Sequence, residues 1–309
     1  MFSTPILFLI YKNIPVTVQA FDRICQIKPS NLYIAADGPK CSEEQEECSL
    51  LRDTLLDMVD WDCNIHTLFR TSNLGLKLAV SSAIDWFFSN NDRGIILEYD
   101  CLPDISFFNF CEKLLTMYEN DTRIFSISGN NILVNDISLS ASSSYFFSSF
   151  TPVWGWATWR RSWNYWKGTL DNYQEFNRLA LLNNKLGHSR SAVRFWKKNF
   201  DDVYSGISTT TWAFCFNYYQ LLNSGLCIVP QLNLVRNIGF GPQATHATYD
   251  TPLSDLPLLS IKELIHPSIV TADQQYDISF SRLAGYIPFS LRIKIFLGKI
   301  KSILKSYFY

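Results

Sequence analysis

Short apolar runs alternate with longer amphipathic stretches through the first half of the chain. The runs predict five strands, at residues 5–11, 31–36, 64–70, 94–97 and 124–128. The stretches between them predict helices at residues 15–28, 43–59, 76–88 and 106–118. Strands separated by helices of this length form βαβ units, so the pattern predicts an α/β fold with a mostly parallel sheet flanked by helices. Right-handed crossovers then bring the strand carboxyl ends to one edge, where ligands of open α/β sheets bind.

The second half of the chain is less regular. Residues 138–149 are rich in serine and are predicted to form a loop, and five tryptophans follow between Trp154 and Trp166. Further on, the pattern predicts helices at residues 176–186, 192–203 and 212–222 and a strand at residues 225–229. Because no repeat or linker interrupts the chain, we expect one domain with halves at residues 1–130 and 131–250, followed by an extension over residues 251–309.

The end of the extension has a pattern of its own. Between Pro288 and Tyr309 the sequence holds five cations and no acid, with apolar residues at near-helical spacing. This pattern predicts a basic amphipathic helix able to lie on an anionic membrane surface, with the closing aromatic residues at the interface. The alternative is an ordinary C-terminal helix that packs on the core.

Composition narrows the class of protein. Of 309 residues 47% are hydrophobic, enough for a substantial core, and the net charge of −1 gives no electrostatic reason to expect a nucleic-acid partner. The eight cysteines form no CxxC pair and no zinc-ligand pattern, so we expect reduced thiols in a cytosolic protein. The N-terminus does not resemble a signal peptide, and no apolar run reaches the ~18–20 residues that span a bilayer.

The strand at residues 94–97 runs directly into two acids, Glu98 and Asp100. Residues two apart at a strand end point to the same side, so we expect both carboxylates to face one site. An unpartnered buried carboxylate is costly, and a divalent cation would supply the partner. Helix capping explains the nearby Asp104 but leaves Glu98 and Asp100 without a role.

The segment Glu98–Tyr99–Asp100 resembles the acidic metal motif of GT-A glycosyltransferases. Four further segments carry the same resemblance: Ala36–Asp37–Gly38–Pro39, Asn73–Leu74–Gly75–Leu76–Lys77, Val153–Trp154–Gly155–Trp156–Ala157–Thr158–Trp159–Arg160, and Asn237–Ile238–Gly239–Phe240–Gly241 continuing to Ala244–Thr245–His246. Together they extend over roughly residues 5–246. The sequence therefore resembles a bacterial family of GT-A enzymes whose core is related to N-acetylglucosaminyltransferase I.

The resemblance implies a GT-A fold and an inverting hexosyl- or N-acetylhexosaminyl-transferase that uses Mn²⁺ or Mg²⁺. The donor would be a nucleotide-sugar, expected to be UDP-linked, bound by residues 1–130. The acceptor, bound by residues 131–250, would be a glycan or a lipid-linked glycan in bacterial surface polysaccharide synthesis. With the basic tail, this implies a peripheral protein at the cytoplasmic face of the plasma membrane.

The resemblance also implies roles for residues of the first half. Asp37 would hold the uracil or ribose, although Asp–Gly–Pro is also a common turn. Arg70 and Lys77 would neutralise the diphosphate, with Asn73 and Gly75 in the turn between them; the alternative is that both cations are solvated surface charges.

The expected metal ligands are Asp100 and His246, with Glu98 beside the sugar or the metal. His246 would bind the metal or the diphosphate from a loop that closes over the nucleotide, unless it has only a structural role. The candidates for contact with sugars are Asn130, Trp154, Gly155, Trp156 and Trp212. Aromatic faces stack on sugar rings, but core packing is the alternative for some of the tryptophans.

The sequence departs from the family pattern at Tyr99, where relatives carry Asp, and at Ala213. Relatives have an Asp after the tryptophan that corresponds to Trp212, as the expected catalytic base, and alanine cannot accept a proton. Asp202 is then the candidate base, with Asp201 and Asp104 as alternatives. These departures also leave open a catalytically impaired protein that binds nucleotides or carbohydrates.

Two other classes with related folds lack support. A sugar-nucleotide pyrophosphorylase or an NAD-dependent enzyme would have a glycine-rich loop after the first strand. Residues 11–15 contain no glycine.

Overall fold

The computed structural model describes residues 2–134, 143–187, 189–208, 211–240 and 253–285. Its strands are β1 (Ile6–Ile10), β2 (Asn31–Ala36), β3 (Asn64–Phe69), β4 (Arg93–Glu98), β5 (Cys101–Pro103), β6 (Ile124–Ser128), β7 (Tyr145–Ser148), β8 (Trp156–Trp159), β9 (Leu226–Pro230) and β10 (Val235–Asn237). Its helices are α1 (Ile14–Ile27), α2 (Gln45–Asp57), α3 (Leu76–Asn90), α4 (Ile105–Met117), α5 (Arg160–Trp163), α6 (Tyr173–Arg178), α7 (Leu181–Leu186), α8 (Arg190–Tyr204), α9 (Ala213–Leu222) and α10 (Gln274–Ala284). Over the described ranges, none of the helices has the length and apolarity needed to cross a bilayer.

One eight-stranded sheet forms the centre of the molecule, in the order β3-β2-β1-β4-β8-β6-β9-β7. β1 pairs in parallel with β2 and β4, and β2 with β3. β8 runs antiparallel between β4 and β6, while β7 is antiparallel to β9 at the edge. The strands β1, β2, β3, β4, β6 and β9 share one direction, which confirms the predicted α/β fold with a mostly parallel sheet flanked by helices.

The predicted elements of the first half are confirmed to within two residues at most ends. Most of these strands are buried, but β3, at the edge of the sheet, is exposed over its first four residues. β1 is buried along its whole length, as expected of a parallel strand covered on both faces. The Asn13 side chain accepts a hydrogen bond from Val16 N at the start of α1. The Asp104 side chain does the same for Ser106 N, at 2.8 Å, at the start of α4. The helix predicted at residues 43–59 is divided into a short 3₁₀ turn, Ser42–Glu44, and α2.

The predicted loop over residues 138–149 is wrong at its end, where β7 is a buried strand. Tyr145 and Phe147 pack into one hydrophobic cluster and Phe146 into another, so both faces of β7 are covered. Ser148 is tolerated there because its hydroxyl donates to Asp277, at 2.6 Å. Residues 138–142 of that prediction lie outside the described residues.

Two further differences concern helices. The helix predicted at residues 176–186 is two helices, α6 and α7, separated at Ala180, which has a left-handed φ of 51°. Alanine rarely adopts this conformation, so the sequence gives no signal for the break. The sequence also did not predict α10, which packs against α8; there the Trp196 indole donates to Ser281 Oγ, at 2.8 Å. The basic helix predicted at residues 288–309 lies outside the described residues.

Candidate functional site

A pocket of about 310 Å³ opens at the carboxyl ends of β1, β2 and β4. Six predicted site residues line it: Asp37, Arg70, Asn73, Gly75, Glu98 and Asp100. They come from loops far apart in sequence and meet because parallel strands end at the same edge of the sheet.

Tyr11, Lys40 and Tyr99 also line the pocket and were missed as binding residues. Their positions, directly after β1, after the Asp–Gly–Pro turn and between the two acids, are the signals that would have identified them.

The carboxylate of Asp37 organises the loop that leads into α3. Its two oxygens accept hydrogen bonds from the backbone N–H groups of Gly38 (2.9 Å), Leu74 (2.9 Å) and Gly75 (3.1 Å). The Asn73 side chain donates to the Gly38 carbonyl, at 2.8 Å. Gly75 has a φ of 79°, in the region that favours glycine. Asp37 is therefore a turn residue that joins two loops, and it also faces the pocket.

The structure brings one of the two predicted phosphate-binding cations to the pocket. Arg70 lines it and donates to Ser82 Oγ, at 2.7 Å. The Lys77 ammonium instead donates to the Gly168 carbonyl, at 2.6 Å, and is not among the pocket residues. Lys40 supplies a second cation in its place.

Glu44, just before α2, binds the two loops that carry Tyr11 and Lys40. Its carboxylate accepts from the Tyr11 hydroxyl, from Lys12 Nζ (2.7 Å) and from the backbone N–H of Lys40 (2.9 Å). Chiefly the hydrogen bond from Lys12, followed by that from Tyr11, lowers the pKa of Glu44 to about 2. Glu44 therefore stays ionised and fixes the relative positions of these loops.

Arg52 of α2 joins the other two loops of the pocket. Its guanidinium donates to the Asp37 carbonyl (3.0 Å) and to the Arg70 carbonyl (2.9 Å), and it lies over the Phe69 ring. No sequence pattern identified Glu44 or Arg52, because both act on backbone or side-chain groups that only the fold brings near. The chain segment around α2 thus holds the loops that follow β1, β2 and β3.

Glu98 and Asp100 lie together on the floor of the pocket, and both are partly buried. Desolvation raises the pKa of Glu98 well above its usual range, and the negative charge of Asp100 raises it further. Two carboxylates that repel each other beside a pocket fit a hard divalent cation, which prefers oxygen ligands and would neutralise both. Within the described ranges, no group of three or more His, Cys, Asp or Glu residues has the geometry of a metal site.

The segment that leads toward His246 passes directly beside Asp100. Ile238 N donates to the Asp100 carbonyl, at 2.8 Å. A Cβ atom on Gly239 would lie 2.4 Å from Asp100 Oδ2, so only glycine allows this close approach. Phe240 follows and packs edge to face against Trp154, with ring centroids 5.8 Å apart. His246 itself lies outside the described residues, so its predicted role stays a prediction.

The residues predicted to contact the acceptor differ in how far they are buried. Trp154 is partly buried, and Gly155, with a φ of 65°, packs against Val235. Trp156 and Trp212 stack on each other in the core, 0% and 4% exposed. Their placement supports the core-packing alternative, because a buried ring cannot stack on a sugar.

Asn130 is also buried, at 1% exposed. Its side-chain nitrogen has no hydrogen-bond partner among the described residues.

None of the three candidate bases lies in the pocket. Asp202 pairs with Lys198 and lines a separate cavity on α8, so the structure does not bring it together with Glu98 and Asp100. Asp201 accepts from Tyr173 of α6 (2.8 Å) and from Lys197 of its own helix, α8 (2.9 Å). Asp104 is the cap of α4. The described part of the chain therefore places none of the candidate bases beside Glu98 and Asp100.

Comparisons with known proteins find similarity only among solved structures. No family model and no curated protein matches the sequence. The mannosyltransferase PcManGT from Pyrobaculum calidifontis, solved with GDP-Man and Mn²⁺, is 13% identical with a TM-score of 0.36, over 51% of this chain and 45% of that protein. S. aureus TarS 1–349 is 9% identical with a TM-score of 0.41, over 74% of this chain and 58% of that one. The glycosyltransferase GlyE from Streptococcus pneumoniae TIGR4 is 12% identical with a TM-score of 0.29, over 61% and 40%.

The matched part is less than two thirds of each of these three proteins. Likenesses of this size do not define a family, so the function has to be inferred from the pocket itself.

Proposed function

We propose that the protein is a metal-dependent GT-A glycosyltransferase, which moves a hexosyl or N-acetylhexosaminyl group from a nucleotide-sugar to an acceptor hydroxyl. One observation carries this proposal: six residues predicted from the sequence converge on one pocket at the carboxyl edge of the sheet. Their chemistry, a carboxylate pair with a cation and a glycine turn, suits a nucleoside diphosphate with its metal ion.

Each group of the pocket has a distinct task in this proposal. Glu98 and Asp100 would hold Mn²⁺ or Mg²⁺, which when bound neutralises the departing nucleoside diphosphate. Arg70 and Lys40 would supply positive charge for the phosphates. Asp37 and the turn at Gly75 keep the backbone N–H groups before α3 in place, at an end of a helix that favours anions.

The proposal extends to the biological setting. The donor is expected to be UDP-linked, and the acceptor to be a glycan or a lipid-linked glycan in bacterial surface polysaccharide synthesis, reached at the inner face of the plasma membrane. The reaction is expected to be inverting, which requires a general base that accepts the proton of the acceptor hydroxyl. Sequence resemblance and the basic tail support these points.

The test measures thermal unfolding of the full chain against a panel of nucleoside diphosphates and nucleotide-sugars, with Mn²⁺ and with a chelator. A ligand of the native state at a hundredfold excess over its Kd adds ~2.7 kcal/mol of stability. We expect a metal-dependent shift with one nucleotide, lost in Asp100→Asn and retained in the exposed control Asp62→Asn. No shift with any nucleotide would contradict the proposal.

A second readout separates transfer from other uses of the same pocket. Metal-dependent release of a nucleoside diphosphate from the stabilising donor indicates a transferase. Formation of a nucleoside triphosphate from that donor and pyrophosphate would instead indicate a pyrophosphorylase.

Ala213 favours a second candidate function. If the base is absent, the protein binds nucleotides or carbohydrates without transferring sugar. Metal-dependent nucleotide binding with no diphosphate release, over long incubations with a broad acceptor panel, would support this alternative. Release above the rate without protein would exclude it.

A further inference from the structure

A second cavity, of about 840 Å³, lies on α7 and α8, and the proposed function does not use it. Its charged residues are Arg190, Arg194, Lys197, Lys198, Asp201 and Asp202. All six are carried by α8, whose opposite face is buried through Ala192, Trp196 and Phe200. Because that buried face fixes the rotation of the helix, the four cations are held on one outward stripe.

The stripe carries an excess of positive charge. Lys197 pairs with Asp201, at 2.9 Å, and Lys198 pairs with Asp202. Arg190 and Arg194 are exposed and form no ion pair with any residue that the structure describes. Two guanidinium groups one helical turn apart are therefore available to a phosphate-bearing partner.

Exposed apolar side chains stand at the C-terminal end of α8. Tyr204 ends α8 at 51% exposed, and Ile207 follows at 77% exposed. Ser208 N donates to the Asp202 carbonyl, at 2.9 Å, which holds the loop of Ile207 against this end of the helix. Leu179, 47% exposed, lies at the break between α6 and α7, four residues before Asn183 of the cavity. Cations with exposed Ile, Leu and Tyr beside them are the composition of a surface that sits in a lipid headgroup layer.

The surface around α2, near the opposite edge of the sheet from α8, carries many exposed acids. The exposed acids of α2 and its flanking segments are Glu43, Glu46, Glu47, Asp53, Asp57, Asp60 and Asp62. They lie beside β2 and β3, whereas α8 packs on α10 beside β7, at the far edge of the sheet. Near an anionic surface this separation of charge turns α8 toward the surface and α2 away from it.

The described chain also ends at this surface. Gly285, after α10, lies against the Phe195 ring of α8. The sequence beyond it contains five cations and no acid between Pro288 and Tyr309. The last described residue, Gly285, therefore lies beside α8.

We propose that the outward face of α8, from Arg190 and Arg194 near its start to the exposed Tyr204 and Ile207 at its end, is a contact surface for the headgroups of an anionic phospholipid membrane. This surface is distinct from the tail and does not depend on glycosyl transfer. It would place the sheet edge that carries β7 at the membrane, with the acidic edge toward solvent.

The test is co-sedimentation of the full chain with vesicles, at low ionic strength. One set of vesicles contains phosphatidylcholine alone and the other includes one part phosphatidylglycerol in three. The test variant is Arg190→Gln with Arg194→Gln. The control, Lys28→Gln with Lys113→Gln, removes two exposed cations elsewhere and so has the same net charge.

We expect the wild type to bind only the anionic vesicles. At about 1 kcal/mol for each cation near the surface, the test variant should lose on the order of thirtyfold in partition, and the control should lose little. The variant Ile207→Ser should weaken binding while leaving its salt dependence unchanged, because it removes apolar contact rather than charge. Near-equal binding of the test and control variants, or none by the wild type, would overturn the proposal.

A competition experiment distinguishes binding to a membrane from binding to a soluble anion. Inorganic phosphate or a soluble acidic polysaccharide that displaces the protein at matched ionic strength would show that the surface binds free anions, and the membrane assignment would then be wrong. Thermal unfolding of each variant confirms that the chain is folded. Nucleotide binding is expected to be the same in all of them, so failure here is distinguishable from failure of the proposed function.

Discussion

Close contacts with backbone determine where the acidic groups of the pocket lie. Gly239 allows the chain to pass against Asp100, and Asp37 holds the turn before α3 through the backbone N–H groups of Leu74 and Gly75. Such contacts leave little room for substitution, because a displaced Asp100 carboxylate could no longer share the proposed cation with Glu98. They also explain why apparently unreactive residues belong to the site.

Gly239→Ala should therefore disable the pocket without unfolding the protein. The added Cβ would meet Asp100 Oδ2 at 2.4 Å, so the carboxylate has to move. A displacement of about 1 Å costs on the order of a hundredfold in rate, which transfer assays with Mn²⁺ can measure.

Combining this change with Asp100→Asn provides the control. If Gly239→Ala acts through Asp100, the double variant should be no worse than Asp100→Asn alone. Additive losses would mean that Gly239 matters for another reason, such as the course of the segment toward His246.

Glu44→Gln should weaken donor binding more than it slows the reaction. The amide keeps the shape but loses the charge that holds Lys12 and the Tyr11 hydroxyl, so the loops after β1 and β2 loosen. Charge-assisted hydrogen bonds of this kind contribute about 1.5–3 kcal/mol, and we expect donor KM to rise roughly tenfold with kcat little changed. Steady-state kinetics of Glu44→Gln beside the exposed control Glu46→Gln would measure it. An unchanged KM would show that these loops do not contact the donor.

Among the elements, α10 was not predicted from the sequence. Hydrogen bonds of two acids, Asp273 and Asp277, fix its position. Asp273 caps its start by accepting from Tyr276 N, at 3.0 Å, and Asp277 beneath it accepts from Ser148 Oγ and Ser149 N of the β7 segment. Burial raises the pKa of Asp277 to about 6, only partly offset by these hydrogen bonds. The contact between α10 and the sheet is therefore sensitive to pH.

Because the folded protein holds the Asp277 proton more tightly than the unfolded chain, the group stabilises the fold at low pH. That contribution is complete below about pH 4, the pKa of an unfolded Asp, and is lost as pH rises through 6. Wild-type unfolding free energy should fall by up to about 3 kcal/mol relative to Asp277→Asn between pH 4 and pH 7. Urea unfolding at both pH values measures the difference, with Asp53→Asn as an exposed control. Parallel pH profiles of wild type and Asp277→Asn would contradict this account.

The sequence predicted those elements whose signals are local. Asn13, Pro15 and Asp104 start helices by their own chemistry, and the buried strands of the parallel sheet are continuous apolar runs. The strand β8 was not predicted, because its tryptophans were interpreted as residues that contact the acceptor. The break between α6 and α7 was not predicted either, because at Ala180 tertiary packing overrides the local preference of alanine.

For the site, the strand-end acids and turn residues were predictable because sheet topology fixes where they meet. Lys77 and Asp202 were placed in the pocket by the prediction but lie elsewhere, since each side chain has a nearer partner, at the Gly168 carbonyl and at Lys198. Glu44 and Arg52 could not be found from sequence, because their partners come from loops that only tertiary structure brings to them.

Over the whole molecule, the sheet joins both halves of the chain. β8 of the second half pairs on one side with β4 and on the other with β6, so no boundary near residue 130 divides the sheet. The hydrophobic cluster that contains Ile6 and Ile95 also contains Ala157 and Ile228. The two halves predicted from sequence thus share one core.

We therefore expect the described elements to unfold in a single transition. Far-UV circular dichroism, which reports all helices, should give the same urea midpoint as tryptophan fluorescence, which reports mainly the second half. A chain of residues 1–130 should not fold alone, because β4 and β6 would each lack the partner between them. Two separated midpoints, or a cooperatively folded 1–130 fragment, would show that the halves are independent.

The position of β8 also has a consequence for synthesis on the ribosome. β4 and β6 leave the ribosome with open edges, and the strand that fits between them follows roughly thirty residues after β6. At about 5–20 residues per second, the gap stays open for about 2–6 seconds. During that interval two apolar strands offer unpaired backbone to any neighbouring nascent chain. The yield of folded protein in cells should therefore depend on translation speed and chaperone supply between residues 128 and 159, although the finished molecule covers both edges.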